Sequence, residues 1–376
     1  MEQTKKGFLG FLQRHWLVIV TGIVTGAAAV ILSNLRTIIP GLDNQNPANM
    51  GFCIACFERD IAGALKFHTA GVVQYFRPEI VGLVIGAICM AMLKKEWKPQ
   101  GGSSPFTRFL LGMLVMIGAL VFLGCPLRMV IRIGGGDLNA LIGLLGFVVG
   151  IVIGTFPLRF GFSLNRAHKQ NATEGLFFPI LLVALFVLSL ATELFAKSAG
   201  GPGSQHAVWY IALPIALVVG ALCQRSRLCM AGGVRDAVMF KDFHLIYGFI
   251  AIIGSVLLGN LILGNFTNGT LQFSFDQSKN IAHSDGLYNF LGMALVGWGS
   301  VLLGGCPLRQ LILAGEGNSD SEITVFGFIA GAAVSHNFKL ASSGAGIGEG
   351  PVLWVLIAGF AILFLLSVFN IKRQKA

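Results

Sequence analysis

Charge is scarce in this chain. Asp, Glu, Lys and Arg make up 12% of its 376 residues, where a soluble domain carries about a quarter. That leaves too little polar surface to keep the protein in water. Acids are scarcer than bases, 17 against 27, yet the +10 balance is not a nucleic-acid footprint, because the excess gathers in loops between apolar runs. The cysteines number seven, an odd count, and most lie in or beside apolar runs, which argues against a secreted disulfide framework. Carboxylates are missing from the centres of those runs, with Glu79 and Glu193 near their ends. Intramembrane acids commonly mark proton relays, so their absence weighs against a proton-coupled carrier. What is abundant is hydrophobic surface, 55% of the chain, and glycine, 50 residues. That mixture fits a polytopic helical membrane protein, where small residues let helices approach closely, and Gly143, Gly146, Gly150 and Gly154 put the pattern on one run.

A helix needs about 20 apolar residues to cross a bilayer. Ten runs qualify: 16–34, 79–93, 106–123, 138–156, 175–195, 207–223, 245–263, 286–303, 323–340 and 351–371. The second is short unless Lys94 and Lys95 snorkel, and the first follows Lys5, Lys6 and Arg14 as a signal peptide would. With the N-terminus inside, most of the basic residues fall in cytoplasmic segments, among them Lys94, Lys95, Arg108, Arg159, Arg166, Arg225, Arg227, Lys241, Lys372 and Arg373. The expectation is a multi-pass membrane protein with both termini cytoplasmic.

Two thiol motifs recur in the same order. Cys53 stands six residues before Arg59-Asp60, and Cys229 six before Arg235-Asp236. Cys-Pro-Leu-Arg then follows at Cys125–Arg128 and at Cys306–Arg309. Five runs precede the linker Gly200-Gly201-Pro202-Gly203 and five follow it. An odd number per copy turns the second copy upside down. The expected architecture is an all-α polytopic fold built as an inverted repeat, residues 1–199 and 200–376, with short re-entrant helices carrying the Cys motifs.

Each Cys-x5-Arg-Asp segment is too polar to cross and too apolar for a plain loop, so it reads as a re-entrant helix, with a surface amphipathic helix as the alternative. In Gly-Cys-Pro the proline suits the first turn of a helix, where its missing N–H is not needed. Cys125 and Cys306 then stand at or near helix N-caps, beside free backbone N–H groups at the positive end of a dipole. Arg128 and Arg309 add charge one turn on. Half-helices entering from both faces bring Cys53, Cys125, Cys229 and Cys306 onto one path near the midplane. Arg59-Asp60 and Arg235-Asp236 read as structural ion pairs, with a ligand role for Arg59 or Arg235 as the minority alternative. Cys53-x-x-Cys56 has redox spacing, but its second-half counterpart is Gly232. Cys89 and Cys223 read as small apolar core residues. His336-Asn337 reads as helix packing, and Gly134-Gly135-Gly136-Asp137 as a turn rather than a phosphate loop.

Ser226-Arg227-Leu228-Cys229 followed by Arg235-Asp236, and Gly304-Gly305-Cys306 after a Gly-rich run, resemble the signatures of the YeeE/YedE family of bacterial sulfur-compound transporters. The resemblance covers nearly the whole chain. It implies import of thiosulfate through an hourglass-shaped protein whose central cysteines handle the substrate, with sulfur-carrier proteins of the TusA type as typical partners. Pro-Leu-Arg after Cys in both halves, together with Cys53-x-x-Cys56, is similar to the branch called the YedE-related selenium metabolism membrane protein. For that branch the implied cargo is a selenium compound. The expected function is inner-membrane import of a small selenium- or sulfur-containing anion, with no catalytic residue, no cofactor, no metal and no nucleic-acid partner. The rival is a membrane thiol-disulfide oxidoreductase using Cys53 and Cys56.

Overall fold

The computed structural model describes residues 8–42, 51–165, 167–275 and 282–371. Asn49 and Met50 of the first thiol segment, and the basic residues Lys5, Lys6, Arg166, Lys279, Lys372, Arg373 and Lys375, lie outside the described residues. Ten long helices match the ten apolar runs. The first half supplies α1 (Phe8–Ser33), the single turn α2 (Leu35–Ile38), the short α3 (Ile54–Ala64), α4 (Pro78–Leu93), α5 (Pro105–Phe122), the short α6 (Pro126–Gly134), α7 (Asn139–Arg159) and α8 (Ala172–Ala191). The second half runs through the same order without the single turn: α9 (Trp209–Ser226), the short α10 (Met230–Phe240), α11 (His244–Ile262), α12 (Gly286–Leu303), the short α13 (Pro307–Gly315), α14 (Ser319–Asn337) and α15 (Val352–Phe369). Two antiparallel dipeptides, β1 (Gln100–Gly101) and β2 (His168–Lys169), join two loops. The chain is an all-α polytopic membrane fold.

Eight of the long helices among the described residues are long and apolar enough to cross a membrane. The two exceptions have physical reasons. Helix α4 has 16 residues and rises only about 24 Å. Helix α14 carries Asp320 and Glu322 in its first turn, where both side chains are buried rather than dissolved in lipid. At 11 and 9 residues, α3, α6, α10 and α13 are far too short to span.

The principal helix contacts each join one half to the other. Helix α7 lies along α12 and α5 along α14, α4 along α9 and α1 along α11, while α5 also crosses α12. Glycine makes these approaches possible. A methyl at Gly150 would run into the Ala294 carbonyl, and one at Gly86 into the Leu217 carbonyl. Helices α5 and α12 form the centre of the bundle, with 89% of their apolar windows buried, whereas α8, α11 and α15 form the rim at 28%.

Contacts between helix ends show alternating directions. At one end of the bundle the start of α1 meets the start of α11, with His15 Nδ1 2.7 Å from His244 Nδ1. There too Arg225, at the end of α9, pairs at 2.9 Å with Glu96, just past α4. At the other end Asn265, past α11, donates to Asn34, past α1, at 3.0 Å. So α3 and α6 follow helices that finish at one end of the bundle, and α10 and α13 follow helices that finish at the other.

One sequence reading is corrected here. Cys89 is exposed on α4 rather than part of the core, whereas Cys223 is buried as expected. Buried carboxylates occur in the short α3 and in the first turns of α4 and α14, away from span centres. Glu58, Asp60, Glu79 and Glu322 are all buried, and neither carboxylate oxygen of Glu58 has a partner among the described residues.

Candidate functional site

Each half builds the same device from two short helices. Cys53 is the N-cap of α3, and its Sγ accepts the N–H of Cys56 at 3.2 Å. Cys229 is the N-cap of α10, and its Sγ accepts the N–H of Gly232 at 3.2 Å. A thiol thus does the work usually given to Ser or Asp, satisfying one of the donors a helix start leaves open. Cys125 and Cys306 are the N-caps of α6 and α13, each followed by Pro at the first helical position, as the Gly-Cys-Pro reading expects.

The short helices meet in pairs. In the second half Cys229 Sγ lies 3.7 Å from Cys306 Sγ and also receives the Cys306 backbone N–H at 3.4 Å. In the first half Cys53 hydrogen-bonds to Cys125, while Cys56 Sγ lies 2.7 Å from Cys53 Sγ. All five sulfurs are buried. The two tiers pack against each other, α3 on α13 and α6 on α10. Helix starts and their N–H groups therefore converge on sulfur in both tiers, an environment that favours electron-rich groups.

The arginines are more committed than the sequence suggests. Buried Arg128 donates from Nη1 to the Leu123 carbonyl at 2.7 Å and to Cys56 Sγ at 3.3 Å. Arg309 pairs with Glu316 at 2.9 Å. Part of this work is structural, since helices α5 and α12 end inside the protein and their last carbonyls need donors. Arg132 supplies one to Phe122, while Arg108 and Gln310 both serve Leu303. Arg132 is itself held by Asp137 at 2.7 Å.

Arg59 bonds Asp60 through Nε and Nη2 at 2.9 and 2.7 Å, and Arg77 joins from α4's N-cap through Nε at 2.7 Å. The same dipeptide in the second half, Arg235-Asp236, pairs at 2.8 Å but stays partly exposed. Arg77 and Glu316 escaped the sequence reading because neither belongs to a repeated motif. The cap role of Cys53 and Cys229 could have been read from Cys placed directly before a helical stretch. His336 stacks on His68 with ring centroids 4.5 Å apart, and Asn337 donates to the Phe67 carbonyl at 2.9 Å, so this pair ties α14 to the loop after α3.

A polar cavity of about 490 Å³ reaches the second tier from its own end of the bundle. Cys229, Gly232, Gly304 and four arginines line it: Arg225, Arg227, Arg235 and Arg309. Asp236, Asp242 and His244 share the lining, and Arg225, Arg235 and Arg309 are ion-paired, so the wall of this opening is mixed in charge.

Residues 225–371 match the sequence model of the family described as Sulphur transport. That stretch includes Cys229, Arg235, Cys306 and Arg309. The chain is also 28% identical over 121 residues to the thiosulfate transporter TsuA of Escherichia coli (strain K12). Both matches support the YeeE/YedE sulfur-transporter family. The second match spans 31% of this chain and 31% of the length of that transporter.

Proposed function

We propose that this protein carries a small sulfur- or selenium-containing anion, thiosulfate-like in form, inward across the bacterial cytoplasmic membrane. In this reading the two halves are inverted copies, both termini are cytoplasmic, and the thiol tiers line one path. The anion enters on the side of Cys125 and Cys53, passes to Cys306 and Cys229, and leaves through the polar cavity. A sulfur-carrier protein of the TusA type is the proposed receiver. The observation that carries the reading is the pairing of N-cap thiols from two short helices in each half. S–H groups are weak donors and weak acceptors. They can hold a terminal sulfur or selenium loosely enough to let it go, as conduction requires.

The test is uptake of radiolabelled thiosulfate, selenite and selenide in cells lacking other importers. Wild type should accumulate at least one of the three, and Cys125→Ala and Cys306→Ala should each reduce that uptake about tenfold or more. Uptake that tolerates both substitutions would remove the thiols from the path.

The approach of Cys56 to Cys53 favours a second reading, a membrane thiol-disulfide oxidoreductase. Cys56→Ala separates the two. It should lower uptake only modestly if the tier is a conduit and abolish activity if the dithiol is the working group.

A further inference from the structure

Six carboxylates are buried among the described residues: Glu58, Asp60, Glu79, Asp137, Asp320 and Glu322. Arginines hold Asp60 and Asp137. Asp320 accepts the backbone N–H groups of Gly102 and Ser103 at 3.0 and 3.1 Å. Glu79 and Glu322 stand in the first turns of α4 and α14, where a helix start favours negative charge. Glu58 has none of this support. It sits mid-helix in α3, and both of its carboxylate oxygens lack a partner among the described residues.

Helix α3 packs on α4, α5, α13 and α14. The other titratable side chains of those helices and their caps are engaged elsewhere. Arg77 holds Asp60, Arg108 serves the Leu303 carbonyl, Arg309 pairs with Glu316, and His336 stacks on His68. Cys306 meets Cys229, and Cys89 is exposed. None of them acts on Glu58. The second half supplies the comparison. Five residues after its capping cysteine, Cys229, it has Val234, which is buried in the core. The fold is therefore built there without an acid, so the cost of burying one at Glu58 serves no shared structural need. A buried ionisable group of that kind inside a membrane protein points to a function.

We propose that Glu58 is a proton-binding site and that the anion is imported together with a proton held there. Proton coupling rests on the import reading and adds its driving ion. An anion moved into a cell works against an interior-negative potential, so import of a thiosulfate-like dianion favours an accompanying cation. An ionised carboxyl in this place is costly, and protonation removes the charge. Cys53, where the path reading places the anion, lies five residues away, about 8 Å along the helix axis. At that range a negative charge on the path disfavours a second one on Glu58. Anion and proton therefore bind better together than apart, and the linkage works equally in both directions. The proton is taken from the side where the anion enters and released on the side where it leaves. The sequence expectation against proton coupling concerned acids at span centres, whereas Glu58 lies on a short helix that starts at a thiol.

The test uses the purified protein, in detergent and in proteoliposomes, with thiosulfate as the probe. In weakly buffered detergent solution a pH-indicator dye should show wild type taking up protons when thiosulfate is added, and Glu58→Gln taking up none. In proteoliposomes clamped at zero membrane potential, an exterior one pH unit more acidic than the lumen should hold thiosulfate about tenfold more concentrated inside. Glu58→Gln keeps the size of the side chain, and Glu58→Val copies the residue of the second half, so the fold should survive in both. Each should lose the tenfold excess whatever its rate of entry, and Glu58→Asp should recover part of it. Wild type with no thiosulfate-linked proton uptake would overturn the proposal, as would a pH-driven excess that persists in Glu58→Gln and Glu58→Val. Import fails separately. Glu58-dependent proton uptake with no entry of thiosulfate upholds the site and sinks import, whereas entry indifferent to the pH gradient keeps import and sinks proton coupling.

Discussion

Glu58 and Asp60 stand two residues apart on one buried helix and meet opposite fates. Asp60 receives two guanidinium groups, from Arg59 and Arg77, whereas neither oxygen of Glu58 has a partner among the described residues. A buried polar group without a partner is costly in any protonation state. Glu58→Met should therefore raise thermal stability, by about 1–3 kcal/mol in a detergent melt. Asp60→Asn strands two buried guanidinium groups and should cost about 3–5 kcal/mol in the same melt. His206 offers a pH readout outside the spans. It stacks on Tyr75 with ring centroids 3.6 Å apart, and burial, aided by Arg77, lowers its pKa from 6.5 to about 4. The fold holds it neutral, so its contribution is complete above about 6.5 and drains away as pH falls from there toward 4. His206→Gln should flatten that part of the profile of melting temperature against pH.

At the scale of elements, the apolar runs located all ten long helices because a bilayer demands length and hydrophobicity together. Gly-Cys-Pro located the starts of α6 and α13, since proline has a physical reason to stand there. The close helix approaches were foreshadowed on α7 by Gly146 and Gly150, which face the carbonyls of Phe290 and Ala294. Gly150→Ala should push α7 from α12 and reduce the recovery of folded protein on size exclusion, an effect that Gly254→Ala, which meets open space, should not share. Other features were hidden for definite reasons. Glu58 lies in a segment that reads as polar, and only its tertiary surroundings make it an interior acid. Arg77 reaches Asp60 across 17 residues of sequence, and Glu316 reaches Arg309 across seven, with no motif to announce either pair. Cys53 and Cys229 were legible as repeated thiols, and their place directly before a helical stretch was the signal of a cap role that sulfur seldom takes. That the thiols meet as two close sets is a property of how the short helices pack, which spacing alone does not encode.

For the whole molecule, the decisive feature is that its main helix contacts run between halves rather than within them. Helices α7 and α12, α4 and α9, α5 and α14, and α1 and α11 each need a partner from the other side of the linker. During synthesis the helices of residues 1–199 would wait in the bilayer with their glycine-lined faces bare. Such an intermediate invites quality-control proteases. Residues 1–199 and 200–376 made as separate polypeptides should each be short-lived alone in a pulse-chase experiment, and should persist and co-purify when produced together. Survival of either fragment by itself would mean that the zipper between halves is dispensable to assembly.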